Sequence, residues 1–240
     1  ISAFARAGRA LGIPEYVDVA RRAADFVLSA MVTGEDVLLH AYKDRPGSVP
    51  GFLDDYASMA GGLLELYQSS QEPRYLTSAL HLVDQMLGLF LDESGGGFFQ
   101  TGTGGEGLVV RVKPVYDGAL PSGNALAAAV LVLAARLTER AELDAVLRRL
   151  FTSVAPLVAQ APGQFVSLLM AHRLFAGESR VTVIAGWRGT DDTDALLRAA
   201  AAVYAPDNVV VLASSGEADD VVSATLPVAR GHGATRGGSV

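Results

Sequence analysis

Cysteine is absent from the 240 residues, which excludes disulfides, thiol catalysis and a CxxC redox pair within this chain. Histidine is scarce. His40, His81, His172 and His232 stand too far apart to make a metal-ligand motif, so neither a metal nor a cofactor is expected. Long apolar runs are missing as well: no stretch of about 18 apolar residues lacks charges, and no membrane-spanning helix is expected. A basic excess is lacking, with 19 Lys and Arg against 26 Asp and Glu and a formal charge of −7. That balance gives no attraction for nucleic acid or for an anionic membrane surface. No basic leader precedes the first apolar residues, and the expected location is cytoplasmic. The chain opens on Ile1, already inside a helical pattern, and closes on residues 231–240, which are poor in apolar side chains. The expectation is a piece of a longer protein whose last residues fray.

Alanine and leucine are abundant, and their spacing repeats. LGIPEYVDVARRAADFVL, from Leu11, parallels SQEPRYLTSALHLVDQML, from Ser70. Each has Pro, one residue, Tyr and then an amphipathic helix, with Tyr16 and Tyr75 placed 59 positions apart. A third copy begins at Thr138 and has Leu143 in place of the tyrosine. Proline at the first turn suits a helix start, because its missing N–H would have had no intrahelical partner. Before each amphipathic helix comes one that is apolar or small nearly all round: residues 1–11, 55–67 and 122–137. Alternation of buried and half-buried helices predicts an inner and an outer layer of helical hairpins, as in an α/α toroid.

The connections are unequal. Turns within a hairpin are short, whereas residues 33–54 and 92–121 make long links between hairpins. The second link reads as a β-hairpin, GGFFQT and LVVRVK flanking a glycine-rich turn. Gly102 to Gly107 matches GxGxxG by letter, but no helix follows, so it is a turn and not a dinucleotide site. In a layered ring both long links emerge on one rim, which brings residues 51–57 beside residues 116–125. After a last buried helix, 164–175, the pattern becomes strand, helix, strand across 181–214, a unit too small to stand alone.

Asp54, Asp55 and Asp117 are the candidate catalytic residues of this rim. Asp54 and Asp55 are adjacent at a helix start, so one can point into a pocket while the other caps or pairs with a base. Both also suit the helix dipole with no chemistry at all. Asp117 forms a turn with Gly118, and Ser122 reads as an N-cap. Facing Asp54 or Asp55, Asp117 would complete the two-carboxylate layout of glycoside chemistry. Tyr56, Phe98, Tyr116, Ser122 and Asn124 are the candidate stacking faces and hydrogen-bonding groups for a sugar or other hydroxyl-rich ligand. Lys113, one of two lysines, is a further candidate ligand-binding residue beside the rim, where an ion pair with Asp117 or a neighbour is expected. His40 is the one histidine in a rim link.

At GFLDDYA (51–57), FLDESGGGFF (90–99) and YDGALPSGNA (116–125) the chain resembles the YyaL-like thioredoxin-domain-containing proteins, bacterial relatives of the spermatogenesis-associated, thioredoxin-like proteins. The resemblance runs over about residues 1–215. It implies a mainly α fold, the C-terminal part of a six-hairpin toroid similar to N-acylglucosamine 2-epimerases and six-hairpin glycosidases. It also implies an upstream thioredoxin-like domain that this chain does not contain. Asp54, Asp55, Tyr56, Lys113, Asp117, Pro121, Ser122, Gly123 and Asn124 match the family's rim motifs. The inner-helix histidines that epimerases use for proton transfer have no counterpart here. The expected organisation is a partial (α/α) toroid over 1–178, a β-α-β appendage over 179–216 and an irregular tail over 217–240. Two functions follow: a carbohydrate-type pocket at the rim, or a non-catalytic scaffold serving the thioredoxin-like domain.

Overall fold

The computed structural model describes residues 1–103, 110–203, 205, 207–214 and 217–232. Three helical hairpins come first: α1 (Ser2–Leu11) with α2 (Pro14–Ala30), α3 (Leu53–Ser70) with α4 (Pro73–Phe90), and α5 (Gly123–Thr138) with α6 (Ala141–Gln160). Each hairpin turns by the same local chemistry. The residue after the first helix is left-handed, at φ 66° for Gly12, 56° for Gln71 and 54° for Glu139, and its N–H bonds back to the carbonyl four residues earlier. Pro14 and Pro73 then open the second helix of the first two hairpins, where no N–H is needed. At Gln71 and Glu139 the left-handed backbone carries a Cβ, a strain of about 1–2 kcal/mol that neighbouring contacts must offset.

The first helices of the hairpins stand side by side in the order α1, α3, α5, and α7 (Val166–Ala176) follows α5. Each of α2, α4 and α6 packs behind its own predecessor. Middle members of the row are buried nearly all round. Leu53, Tyr56, Leu63, Leu64 and Leu66 of α3 and Ala127, Leu131 and Leu137 of α5 have almost no exposed surface. The expected all-round burial fails at the two ends of the row. Helix α1 buries only Ala5 and Gly8 and exposes Phe4 and Leu11; α7 buries only Leu168 and Ala171 and exposes Val166, Leu169 and Met170. An end helix has one neighbour in the row instead of two, so one apolar stripe stays open.

The later strand–helix–strand pattern is β3 (Arg180–Ala185), α8 (Asp191–Ala202) and β4 (Asn208–Ala213), with β3 and β4 parallel and Val181 beside Val209. It joins the helical core directly, since Val209, Val211 and Ala213 share one buried cluster with α3, α4 and α5. The edge of β4 away from β3 is covered by two side chains and not by a strand. Gln68 accepts from Val210 N at 2.7 Å and donates to Val210 O at 3.0 Å. Gln71 accepts from Leu212 N at 2.9 Å and donates to Val210 O at 3.2 Å. The left-handed turn at Gln71 aims its buried amide at the strand.

Residues 217–232 differ from the irregular tail expected. They form α9 (Glu217–Thr225) and a 3-10 turn, Pro227–Ala229. Val222, Leu226 and Ala229, spaced four and three apart, are buried against the helices and β4. Residues 233–240 lie outside the described residues. The glycine-rich turn expected from residue 104 onward lies outside them too, and the described parts of its flanks, 96–101 and 110–113, hold no regular strand. Instead Phe98 pairs with Leu91 across the turn 92–97, and Gln100 N donates to Val112 O at 2.8 Å. The first long link contains a short unforeseen hairpin, β1 (Tyr42–Lys43) with β2 (Arg45–Pro46), turning at Asp44. Among the described residues no helix is long and apolar enough to cross a membrane.

Candidate functional site

The starts of α3 and α5 meet as their motifs suggested, and a Cβ on Gly123 would lie 3.0 Å from the Leu53 side chain. Around this junction the three candidate carboxylates are engaged by their own chain. Asp55 is the capping member of its pair: its Oδ2 accepts from Phe52 N at 2.8 Å and also meets His40 Nδ1 at 2.7 Å. The hydrogen bond and charge of Asp55 raise the proton affinity of His40 above its ordinary value, with Asp54 adding to the effect. Asp54 Oδ1 accepts from Gln100 Nε2 at 2.6 Å. Asp117 spends both oxygens on backbone, Oδ1 on Ser122 N at 3.1 Å and Oδ2 on Ser167 N at 2.7 Å. It therefore ties the start of α7 to the start of α5.

The candidate ligand-binding residues are mostly structural in their contacts. Asn124 is fully buried and grips the 98–114 segment. Its Oδ1 accepts from Phe98 N at 2.8 Å, while its Nδ2 donates to Phe98 O and Pro114 O, each at 2.9 Å. Ser122 caps α5, accepting from Ala125 N at 3.2 Å and donating to Val115 O at 3.2 Å. Tyr56 is buried, its ring edge-on to Phe90 and its oxygen accepting from Leu38 N at 3.1 Å; burial raises its phenol above the usual range. Phe98 is wholly buried. Only Tyr116 among the aromatic candidates is well exposed, at 48 %, leaning on Phe165 at 4.8 Å.

Lys113 bonds Asp92, at 2.7 Å, and Gly96 O, at 3.0 Å, and no Asp117 contact is present. Asp92 also accepts from Ser94 N, Ser94 Oγ and Gly95 N. The Lys113 ammonium, followed by these donors, holds the Asp92 carboxyl well below the usual carboxylate range. A depressed folded value stabilises the fold above the unfolded value of about 3.9 and ceases to do so as pH falls toward the folded one. Lys113→Met is expected to cost about 1 kcal/mol at pH 7. The gap to wild type, read from urea melts at pH 7, 4 and 3, is expected to shrink only below about pH 4. An equal gap at every pH would contradict this account.

Sequence reasoning missed Gln68, Gln71 and Gln100, since glutamine at a helix end or in a loop carries no motif. Two shallow clefts, of about 310 and 390 Å³, lie along α4, and neither is lined by Asp54, Asp55 or Asp117. Asp36, Thr77, His81 and Gln85 line the first, and His81, Asp84, Arg140 and Val221 line the second. Among the described residues no group of three or more His, Asp or Glu is placed to hold a metal ion.

The fold and rim define a mainly α protein of layered helical hairpins, with a parallel two-stranded β-α-β unit docked on their side. The chain is similar to spermatogenesis-associated protein 20 of Homo sapiens, Rattus norvegicus and Mus musculus, with 32% identity to each over 95% of this chain. Such a match takes in the hairpins and the β-α-β unit alike. The chain spans 30% of the length of these curated relatives. No protein-family model matches it.

Proposed function

We propose that this chain is the C-terminal toroid region of a thioredoxin-domain-containing protein, and that it acts there as a non-catalytic scaffold that presents a client to the thioredoxin-like domain. The carrying observation is the engagement of the rim: Asp55 and Asp117 hold backbone N–H groups, and Asp54 holds Gln100. A general acid or base must be able to reach a substrate proton, and carboxylates used as caps are poorly placed for that task. The row α1, α3, α5, α7 supports the toroid part of the reading, because its exposed end stripes are where further hairpins of a longer protein would continue the layer. The carbohydrate pocket, with Asp117 and Asp54 or Asp55 as acid and base, draws less support from the same contacts.

Thermal-shift screening of the longer protein against hexoses and N-acylhexosamines separates the two. The scaffold reading expects no sugar to move the melting temperature. It also expects Asp117→Ala to cost about 1–2 kcal/mol of stability as a lost cap. A sugar that stabilises the wild type but not an Asp117→Asn variant would overturn it.

A further inference from the structure

The first long link is firm at its base and free at its tip. Leu38 and Leu39 are buried, Leu39 N donates to Met31 O, and Gly51 N closes the base on Leu38 O at 2.7 Å. Beyond this base every residue from 40 to 50 is exposed. These residues form a small hairpin of their own, with His40 N on Val49 O and Gly47 N on Ala41 O. Two ring contacts and one polar contact hold the tip to the body. The Tyr42 ring meets Phe26 of α2 edge-on at 5.0 Å, the His40 ring meets Phe52 edge-on at 4.9 Å, and His40 Nδ1 meets Asp55 Oδ2 at 2.7 Å.

We propose that residues 40–50 are a proton-operated flap, which a charged His40 clamps onto the start of α3 and a neutral His40 releases. The groups that face the imidazole are of one sign. From α3 they are Asp55 and, further off, Asp54; the Phe52 ring before α3 is uncharged. From α2 the Phe26 ring meets the flap, and the flap's own Lys43, Asp44 and Arg45 lie at its turn. Both carboxylates favour the imidazolium. With its folded value raised, the His40 clamp is complete below the unfolded value of about 6.5 and is lost as pH rises through the folded value. The neutral ring keeps a hydrogen bond but loses the charge. Asp55 retains the Phe52 N–H in either state, so the helix cap survives release of the flap. What opens is the acidic start of α3, with Asp54 and Asp55 on it. The flap does not depend on whether the rim receives a client or a sugar.

Because the chain has no cysteine, a Ser48→Cys variant of the full chain takes a single nitroxide label at the flap tip. Its room-temperature spectrum at pH 6 and pH 8 reads the mobile fraction. An ion pair this exposed is worth up to about 1 kcal/mol, so the mobile fraction is expected to be about two- to fivefold larger at pH 8. His40→Gln on the same background is expected to be mobile at both pH values. His81→Gln, which removes the neighbouring pair with Asp36 on the same link, is expected to keep the pH response. Equal mobility at the two pH values in the parent would overturn the proposal. So would a pH response that survives His40→Gln or vanishes in His81→Gln.

Discussion

Replacing Gln68 by Leu together with Gln71 by Asn is expected to detach the β-α-β unit while the helical hairpins stay folded. Val210 N–H, Val210 C=O and Leu212 N–H rely on these two amides for the hydrogen bonds a third strand would have supplied. Leucine at 68 keeps the volume and loses both polar atoms. Asparagine at 71 tolerates the left-handed backbone but is one methylene too short to reach Leu212. Each backbone group left buried without a partner costs about 1–3 kcal/mol, so the pair is expected to lose about 3–5 kcal/mol. That is a large share of a typical domain's stability of about 5–15 kcal/mol. Hydrogen exchange is the decisive readout: amides of 208–213 are expected to lose protection while those of α3 and α5 keep theirs. Unchanged exchange across β4 would mean that the glutamines decorate the edge without sealing it.

Asn124→Leu is expected to be comparably damaging. One amide satisfies Phe98 N–H, Phe98 C=O and Pro114 C=O in a site with no exposure, and removing it strands all three for about 3–5 kcal/mol. Asn124→Asp makes a sharper test, since the shape is nearly kept. A carboxylate can still accept from Phe98 N–H, but it faces two carbonyl oxygens to which it cannot donate. Burial and those oxygens raise the introduced carboxyl's folded value above its unfolded one of about 3.9. The penalty is then full at neutral pH and fades as pH falls toward the unfolded value. Urea melts at pH 7 and pH 5 are expected to show this variant gaining on wild type in acid. A constant difference would show that the buried amide is not the anchor described.

The helical hairpins were legible because their signals are local. Pro14-Glu15-Tyr16 and Pro73-Arg74-Tyr75 mark helix starts, and the burial of Val17, Ala20 and Ala24 follows from a 3.6-residue period. The role of Asn124 was not legible. A polar residue in a motif at the head of an apolar helix looks like a ligand contact, and its real partner is the backbone of Phe98, 26 residues upstream. Lys113 shows the same limit, since the choice of Asp92 over Asp117 is made by how the 92–97 turn folds back. Helix α9 escaped notice because it is nine residues long and its apolar side chains are few, so tertiary contacts with α4 and β4 decide it. Asp55 lies between these cases. That one of two adjacent acids would cap was readable, and His40 as its second partner was not.

The glutamine-sealed edge of β4 also sets an order of assembly. Gln68 and Val210 are 142 positions apart, so on a growing chain the hairpin of α3 and α4 emerges long before the strand it receives. The α3–α4 turn depends only on near neighbours, and it can present both amides while β4 is still unmade. The final strand then docks onto a waiting template, and the long loop closure falls late in folding, after the helices have buried most of their surface. A late contact of this kind leaves the rate of folding largely alone and governs how quickly the finished protein comes apart.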